Sequence, residues 1–252
     1  MSNISPLINV MKTAYNKVNR RIYRDFGEIE NLQGLDEKID RFFNKTYEFV
    51  EYNLKDYLTY CRPEWKFLDY KNSTFKKDTY YWFLEPLSGK ENFKRSIPIF
   101  SSSISVFFND KIIASSIYDP LRNDFYFTEE GKGAFLNDHR IRVSNRKYLN
   151  NSLISLQVNN SNLNIDKFIF DHNIPLKNLR VFNSSTVSMS WLCNGKLDCF
   201  IGIDMDQFFI KSSKLLLRES GGFFLETNLK KNNFFICANP TIHKKIIKIL
   251  NS

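Results

Sequence analysis

The segment from Glu85 to Lys90 brings a carboxylate, a hydroxyl and an ammonium group together within six residues. It reads Glu-Pro-Leu-Ser-Gly-Lys, and it follows an apolar run, residues 80–84, that is typical of a buried strand feeding a tight turn. A carboxylate is the type of oxygen ligand that Mg²⁺ prefers. The cation of Lys90 would repel a metal ion in a shielded cleft, but it could pair with Glu85 or hold a phosphate. The segment is therefore a candidate site for metal or phosphate chemistry.

Two long amphipathic helices are predicted at the start of the chain, because apolar residues recur at helical spacing over residues 7–26 and 39–54. Pro63 stops the second helix. The strand-like segments that follow are 65–70, 79–84, 104–108, 111–118, 125–128 and 140–143, with a hairpin turn at Asn109-Asp110.

After about residue 150, strands alternate with helices near residues 184–194, 207–219 and 240–250. This order suits a sheet with helices on its faces. We therefore predict an α/β (α+β) protein with two parts. Residues 1–149 would form the helix pair plus a mostly antiparallel sheet, and residues 150–252 a C-terminal α/β subdomain.

Six further segments, in order along nearly the whole chain, resemble the inositol monophosphatase family and most closely its bacterial, SuhB-like branch. They are residues 25–33, 118–124, 133–144, 195–198, 218–222 and 238–240. In this family the segment matching 85–93 reads Asp-Pro-(Ile/Leu)-Asp-Gly-Thr-x-Asn-Phe. Its two aspartates bind Mg²⁺, and its threonine orients the water that attacks the phosphate. The resemblance implies a layered α-β-α-β-α sandwich that forms a homodimer.

The same resemblance implies that the metal ligands have been replaced. The four slots of the family's metal-binding carboxylates hold Tyr70, Glu85, Ser88 and Phe209. Lys90 stands at the threonine, and a third-metal pair appears as Arg41 and Tyr47, while Lys71 and Lys211 add positive charge. No rotamer of phenylalanine can coordinate Mg²⁺. We therefore expect no cofactor at this site, with Mg²⁺ the expected cofactor only if phosphatase activity remains.

Positions that contact the substrate in the family have changed as well. The turn that contacts the sugar ring corresponds to Asn183, Ser184 and Ser185, and the glutamate that binds an inositol hydroxyl corresponds to Gly202. The two serines are more simply interpreted as helix N-caps.

A rebuilt metal site stays open as an alternative. The loop between residues 69 and 85 is about two residues shorter than is usual in the family, so a register slip could bring Asp69 into the glutamate slot. Asp204 or Asp206 could join Glu85 in the same way.

Two functions therefore compete. One is a non-catalytic binding or regulatory protein, for which the resemblance implies a role in transcription antitermination on ribosomal RNA operons. The other is a residual Mg²⁺-dependent phosphomonoesterase acting on inositol monophosphate or a similar small phosphate ester.

The net charge of +9 favours RNA as a partner, and the resemblance implies transcription antitermination factors as partners. Part of the charge could be compositional drift, because the chain is rich in Lys, Asn, Ile and Phe together. One basic cluster follows the first helix at Lys17, Arg20, Arg21 and Arg24. The cluster that we single out as a possible nucleic-acid patch is Arg140, Arg142, Arg146 and Lys147, here called the hairpin arm. Solvated faces are the alternative explanation for both clusters.

The remaining features argue against a membrane or redox protein. No apolar run approaches the roughly 20 residues that span a bilayer, and residues 1–5 lead straight into an amphipathic helix, so we expect a cytoplasmic protein. The four cysteines have no C-x-x-C spacing, which favours reduced core thiols over zinc ligands or disulfides.

Overall fold

Two β-sheets and the helices that cover them make up the described chain. The computed structural model describes residues 4–68, 74–159, 176–229 and 232–250. The chain begins with α1, Pro6–Ile29, and α2, Asp36–Cys61, which are joined by a short 3₁₀ turn. The Ser5 hydroxyl caps α1 by accepting a bond of 3.2 Å from the backbone N–H of Ile8. Both helices bury their apolar stripes against the first sheet, as their periodicity predicts.

The first sheet is a seven-stranded meander within the described residues, with its strands in chain order. Its strands are β1 Lys66–Phe67, β2 Tyr80–Ser88, β3 Ser101–Phe108, β4 Lys111–Asp119, β5 Asp124–Glu129, β6 Gly133–Leu136 and β7 His139–Arg140. Only the β1–β2 pair is parallel among these strands. A short helix, α3 Lys90–Lys94, follows β2.

The second sheet is mixed and has five strands within the described residues, in the order β11-β12-β10-β8-β9. They are β8 Ile154–Val158, β9 Leu179–Arg180, β10 Cys199–Ile203, β11 Phe223–Leu229 and β12 Asn232–Ala238. Three helices alternate with them: α4 Ser185–Cys193, α5 Gln207–Glu219 and α6 Pro240–Leu250. β10 runs parallel to β8 and antiparallel to β12.

The helices α4 and α5 lie between the two sheets. Their core joins Ile117 and Tyr126 of the first sheet to Phe200 and Phe235 of the second, with Leu216 of α5 among them. A separate core holds α6 against the outer face of the second sheet. The layers are therefore α-β-α-β-α, which confirms the predicted fold class. The division of the chain at residues 149 and 150 stays a prediction.

Several local predictions need correction. The strand that was expected to end at Leu84 continues to Ser88, because Ser88 pairs with Ser101 of β3 after an irregularity that accommodates Pro86. The strand predicted over 140–143 ends at Arg140, since the N–H of Val143 bonds instead to the carbonyl of Ser220. Neither α3 nor β6 was predicted.

Other expectations are met. The hairpin turn at Asn109-Asp110 joins β3 to β4, with Asn109 at φ +54°. All four cysteines are free thiols, and three of them are buried. None of the described helices combines the length and the apolar character that crossing a bilayer requires.

Candidate functional site

Glu85 lies near the end of β2, where the strand leaves its regular pairing. It faces Ser103 of β3 in the register, and the irregularity begins directly after it. The chain then reverses at Gly89, which has φ +94°. A Cβ atom there would lie 2.7 Å from the carbonyl oxygen of Ile99, so this turn requires glycine. The predicted Pro/Gly turn is thus present, but it begins only after Ser88.

A small cavity adjoins the Glu85 side chain. It encloses about 10 Å³, and its lining combines hydroxyl and aromatic groups: Phe83, Glu85, Ser103, Ser115, Ile117, Thr186, Phe209, Ser212, Ser213 and Leu216. A space of this size holds about one water molecule. The hydroxyl of Ser212, which lines this cavity, is buried without a hydrogen-bond partner in the described chain.

Phe209 supplies an apolar wall of this cavity. Its side chain is only 7 % exposed, and its ring lies edge-on to Phe200 with the centroids 6.2 Å apart. The preceding residue, Phe208, packs on Phe83 with a centroid distance of 5.2 Å. The start of α5 is therefore an aromatic plug against β2, where the family resemblance implies a metal-binding aspartate.

Asp206 is used by the helix that it precedes. Its Oδ1 atom accepts bonds of 2.8 and 3.1 Å from the backbone N–H groups of Phe208 and Phe209, which makes it the N-cap of α5. It is close enough to Glu85 to act on it electrostatically. Asp204, the other acid considered, accepts bonds of 2.8 and 2.9 Å from Asn232 and Asn233, so it is engaged in a turn.

The Glu85 carboxyl holds its proton unusually strongly. Burial raises its pKa to about 7, and the negative charge of Asp206 adds to the effect, while a hydrogen bond from Ser88 opposes it. Nearby Tyr47 of α2 has a pKa raised to about 12, chiefly by burial and further by Glu51 and Glu85. The surroundings of Glu85 in the described chain therefore disfavour its negative charge.

The predicted substrate-binding turn joins the same cluster. Asn183 adopts a left-handed conformation with φ +52° and leads into α4. Ser184 occupies the N-cap position but makes no capping bond, because its hydroxyl points to Ser88, 3.4 Å from Oγ and 3.5 Å from the carbonyl oxygen. The N-cap interpretation is therefore wrong for the side chain of Ser184, and Ser185 is the first residue inside the helix.

Thr186 was missed by the sequence analysis. Its hydroxyl lies 2.6 Å from that of Ser101, which ties α4 to β3 beside the cavity. The run of three serines at residues 101–103 was the available signal, because buried hydroxyls need partners.

Gly202 on β10, where the family resemblance implies a substrate-binding glutamate, has apolar side chains close to it. A Cβ atom at this position would lie 2.5 Å from Cγ of Met205 and 3.0 Å from Cε1 of Phe200. The space that a substrate-binding glutamate would need is therefore filled by neighbouring apolar groups.

Pairing with Glu85 was one of two roles considered for the cations near the cleft, and the described cations have other partners. Arg41 is exposed and bonds to Glu37 at 3.2 Å. Lys90 places its Nζ atom 5.5 Å from the ring centroid of Phe43. Lys211 pairs with Asp110. Each of these three cations therefore has a local partner other than Glu85. Asp69, Tyr70 and Lys71 lie outside the described residues.

The described side chains around Glu85 do not fit Mg²⁺. The ion requires near-octahedral coordination by oxygen atoms and is usually held by one or two carboxylates. Here Glu85 faces hydroxyls and phenyl rings, and Asp206 already accepts two backbone hydrogen bonds. Within the described ranges, no three carboxylate, imidazole or thiol groups are placed to share a metal ion.

The four cations of the hairpin arm are exposed. Arg146 has a structural role, because it donates hydrogen bonds to the buried Asp198 at 3.3 Å and to the carbonyl oxygen of Gly195 at 3.4 Å. The guanidinium group of Arg140 covers Gly133, where a Cβ atom would lie 2.8 Å from it. Arg142 lies beside Gly221, with its Nη1 atom 3.7 Å from where a Cβ atom would be, and Lys147 forms no hydrogen bond or ion pair with any described residue.

Comparisons with known proteins agree with this architecture. The model of the inositol monophosphatase family matches residues 7–252. This chain belongs to the inositol monophosphatase family. An inositol-1-monophosphatase of Mesorhizobium japonicum is 28 % identical to it over 260 residues, which cover 97 % of this chain and 96 % of that protein. The Nus factor SuhB of Buchnera aphidicola is 30 % identical over 178 residues, covering 68 % of this chain and 66 % of that protein.

Solved structures of this family show the same fold. The extragenic suppressor protein suhB from Bartonella henselae superposes with a TM-score of 0.81 at 26 % identity, covering 98 % of each chain. The SuhB relatives and this structure support the SuhB-like branch. Among the family members found, some are named as phosphatases and others as Nus factors.

Proposed function

We propose that this inositol monophosphatase family member has lost Mg²⁺-dependent phosphatase activity and acts as a non-catalytic binding protein in transcription antitermination. The observation that carries the proposal is the position of Phe209, whose buried ring forms a wall of the cavity beside Glu85. An apolar ring in this place supplies no ligand and excludes water, so a metal ion would have to give up hydration without compensation.

The charged groups near the cleft also support the proposal. The described cations that could have replaced the metal, Arg41, Lys90 and Lys211, have other partners. These contacts support a cleft without a phosphate clamp among the described residues.

The binding role rests on similarity and on surface charge. Relatives named Nus factor SuhB match this chain, and the net charge of +9 suits partners that carry phosphate or acidic groups. The hairpin arm is the partner contact that the sequence alone predicts. A role in transcription implies that the protein works in the cytoplasm. The resemblance predicts that it does so as a homodimer.

A residual phosphomonoesterase is the second candidate. A carboxyl group with a pKa of about 7 suits a general base at neutral pH, and the relative from Mesorhizobium japonicum is named as an inositol-1-monophosphatase. This alternative requires that Glu85 holds a metal together with ligands such as Asp69 and Asp206. The substrate would be inositol monophosphate or a similar small phosphate ester.

Calorimetry with Mg²⁺ and phosphate release from inositol 1-phosphate test the proposal, with the Mesorhizobium japonicum protein as the positive control. We expect no binding heat and no phosphate release above the Glu85→Gln variant. Glu64→Gln is the matched control, because Glu64 is exposed and outside the site. Turnover in the wild type and in Glu64→Gln that disappears in Glu85→Gln would reject the proposal in favour of the phosphomonoesterase.

A further inference from the structure

A wide groove along α1 is lined by positive charge. It encloses about 660 Å³, within the range of ligand-binding pockets. Its lining consists of Lys17, Arg20, Arg21, Tyr23 and Arg24 from α1 and Phe49 from α2. The spacing of the four cations places them on one side of the helix, and no carboxylate lines the groove in the described chain. None of these residues lines the cavity at Glu85.

A buried carboxylate orients two of the four cations. Asp25 is fully buried and accepts one bond of 2.6 Å from Arg21 and two bonds, of 2.9 and 3.1 Å, from Arg24. Thr46 of α2 donates a fourth bond of 2.7 Å. These bonds orient the two guanidinium groups before any ligand arrives, which lowers the entropy lost on binding.

The other two cations are available to a ligand. Lys17 and Arg20 form no ion pair with any described residue, although the Nζ atom of Lys17 lies 5.6 Å from the ring centroid of Tyr57. Asp25 and Glu28 lie beside these cations, and Glu28 pairs with Arg24 at 3.4 Å. When both acids are counted, the groove still has more positive than negative charge. A chain of phosphates would be attracted to it.

Two aromatic rings, Tyr23 of α1 and Phe49 of α2, lie beside these cations. Tyr23 is 63 % exposed, although most residues of its size and apolar character are covered in a folded protein. Arg21 stacks over the ring of Phe49 at 4.9 Å. Tyr23 therefore offers an exposed ring beside cations, and proteins use such rings to hold unpaired bases next to a phosphate backbone.

We propose that this α1 groove binds single-stranded RNA, with Lys17 and Arg20 contacting phosphates and Tyr23 stacking on a base. An acidic peptide would use the cations but has no need of the exposed ring, and duplex RNA keeps its bases stacked inside the helix. The inference rests on the proposed binding function, for which it names a ligand class and a surface. It moves the RNA contact from the hairpin arm, where Arg140 and Arg146 have structural roles, to α1.

Fluorescence anisotropy with a labelled single-stranded RNA of mixed sequence tests the groove over a range of salt concentrations. The test variants are Tyr23→Ala and Arg20→Ala, because neither residue holds Asp25. The matched controls are Tyr60→Ala, an exposed tyrosine at the end of α2, and Lys244→Ala on α6. Circular dichroism checks that each variant is folded, and duplex RNA serves as a competitor.

We expect Tyr23→Ala to weaken binding about five-fold or more, since stacking on one aromatic ring contributes on that order. Arg20→Ala should reduce the slope of log K against log salt by about 0.7, the loss of one phosphate contact on a single strand. Both controls should bind as the wild type does.

Three results would overturn the inference: no measurable RNA binding, equal losses in the control and groove variants, or competition by duplex RNA as effective as by single strands. Binding lost in Arg140→Glu with Arg142→Glu but kept in both groove variants would assign the contact to the hairpin arm instead. Because the readout is RNA affinity, failure here is distinct from a finding of phosphatase activity, which calorimetry and phosphate release detect.

Discussion

Glu85 is the acidic residue at the positions where the family resemblance implies metal-binding carboxylates, and its neighbours determine what it can do. The resemblance implies that Ser88 and Phe209 stand at two of the partner positions, and the hydroxyls of Ser103, Ser115 and Thr186 line the space beside Glu85. In such surroundings the protonated carboxyl is the favoured form at acidic pH, because burial penalises the charge.

This protonation predicts how stability depends on pH. The pKa of Glu85 is about 7 in the folded protein against an ordinary value of 4.5, so the folded state holds a proton that the unfolded state has released between these values. The contribution to stability is complete below about pH 4.5 and is lost as the pH rises through about 7. We expect the free energy of unfolding of the wild type to fall, relative to Glu85→Gln, by at most about 3 kcal/mol between pH 4.5 and 8.

Urea denaturation of both proteins at several pH values measures this difference, because other titrating groups cancel between them. Glu64→Gln should follow the wild type at every pH. Parallel stability curves for the wild type and Glu85→Gln would show that Glu85 is not buried as a neutral acid.

At the scale of elements, one buried aspartate joins the two long helices. Asp25 of α1 is fully buried, and it reaches Thr46 of α2 as well as two arginines of its own helix. Charge-assisted hydrogen bonds of this kind contribute about 1.5 to 3 kcal/mol each, and they are strongest where water is excluded. The same bonds orient the arginines of the α1 groove, so the helix pair and its surface depend on one side chain.

A double-mutant cycle measures the contact between α1 and α2. Asp25→Ala should lower the free energy of unfolding by about 2 to 3 kcal/mol, because Arg21 and Arg24 can return to water but Thr46 loses a charged acceptor. Combined with Thr46→Val it should show a coupling energy of about 1 kcal/mol in urea denaturation. Thr59→Val, at an exposed site on α2, is the control for which we expect no coupling with Asp25→Ala. Additive losses for Asp25 and Thr46 would mean that the bond contributes nothing.

On the scale of the whole molecule, α4 and α5 bind the two sheets into one packed body. The core around Leu216 contains residues of both sheets, whereas Ile242 of α6 contacts only the core of the second sheet. A shared core of this kind makes it unfavourable for one sheet to unfold while the other stays folded, since the exposed apolar face would lose its burial.

We therefore expect a substitution in the core between α6 and the second sheet to destabilise both sheets. Ile242→Ala should lower stability by about 2 to 4 kcal/mol, and hydrogen exchange should show the loss in β3 of the first sheet as well as in β12 of the second. Leu216→Ala, in the shared core, provides the reference pattern. Unchanged protection of β3 in Ile242→Ala would instead support two independently unfolding parts divided near residue 150.

The sequence alone determined the features that depend on local periodicity and local turns. The apolar spacing predicted α1 and α2, the boundaries of α5 and α6 were predicted to the residue, and Asn109-Asp110 marked its hairpin. These succeed because each helix buries one stripe of its own residues, and because a short loop needs its own turn chemistry. The order of short family motifs likewise indicated the layered fold that the structure confirms.

The tertiary structure alone decided which side chains meet at the candidate site. Ser184 turns to Ser88 rather than capping its helix, Lys211 pairs with Asp110, and β2 runs on to Ser88 because Ser101 is its partner. Each of these contacts joins residues that are distant in the chain, and a side chain's direction depends on which distant group offers the better partner. The cationic groove on α1 arises in the same way, since its shape requires Phe49 of α2 and its fixed arginines require the burial of Asp25 by the packing of α2 on α1.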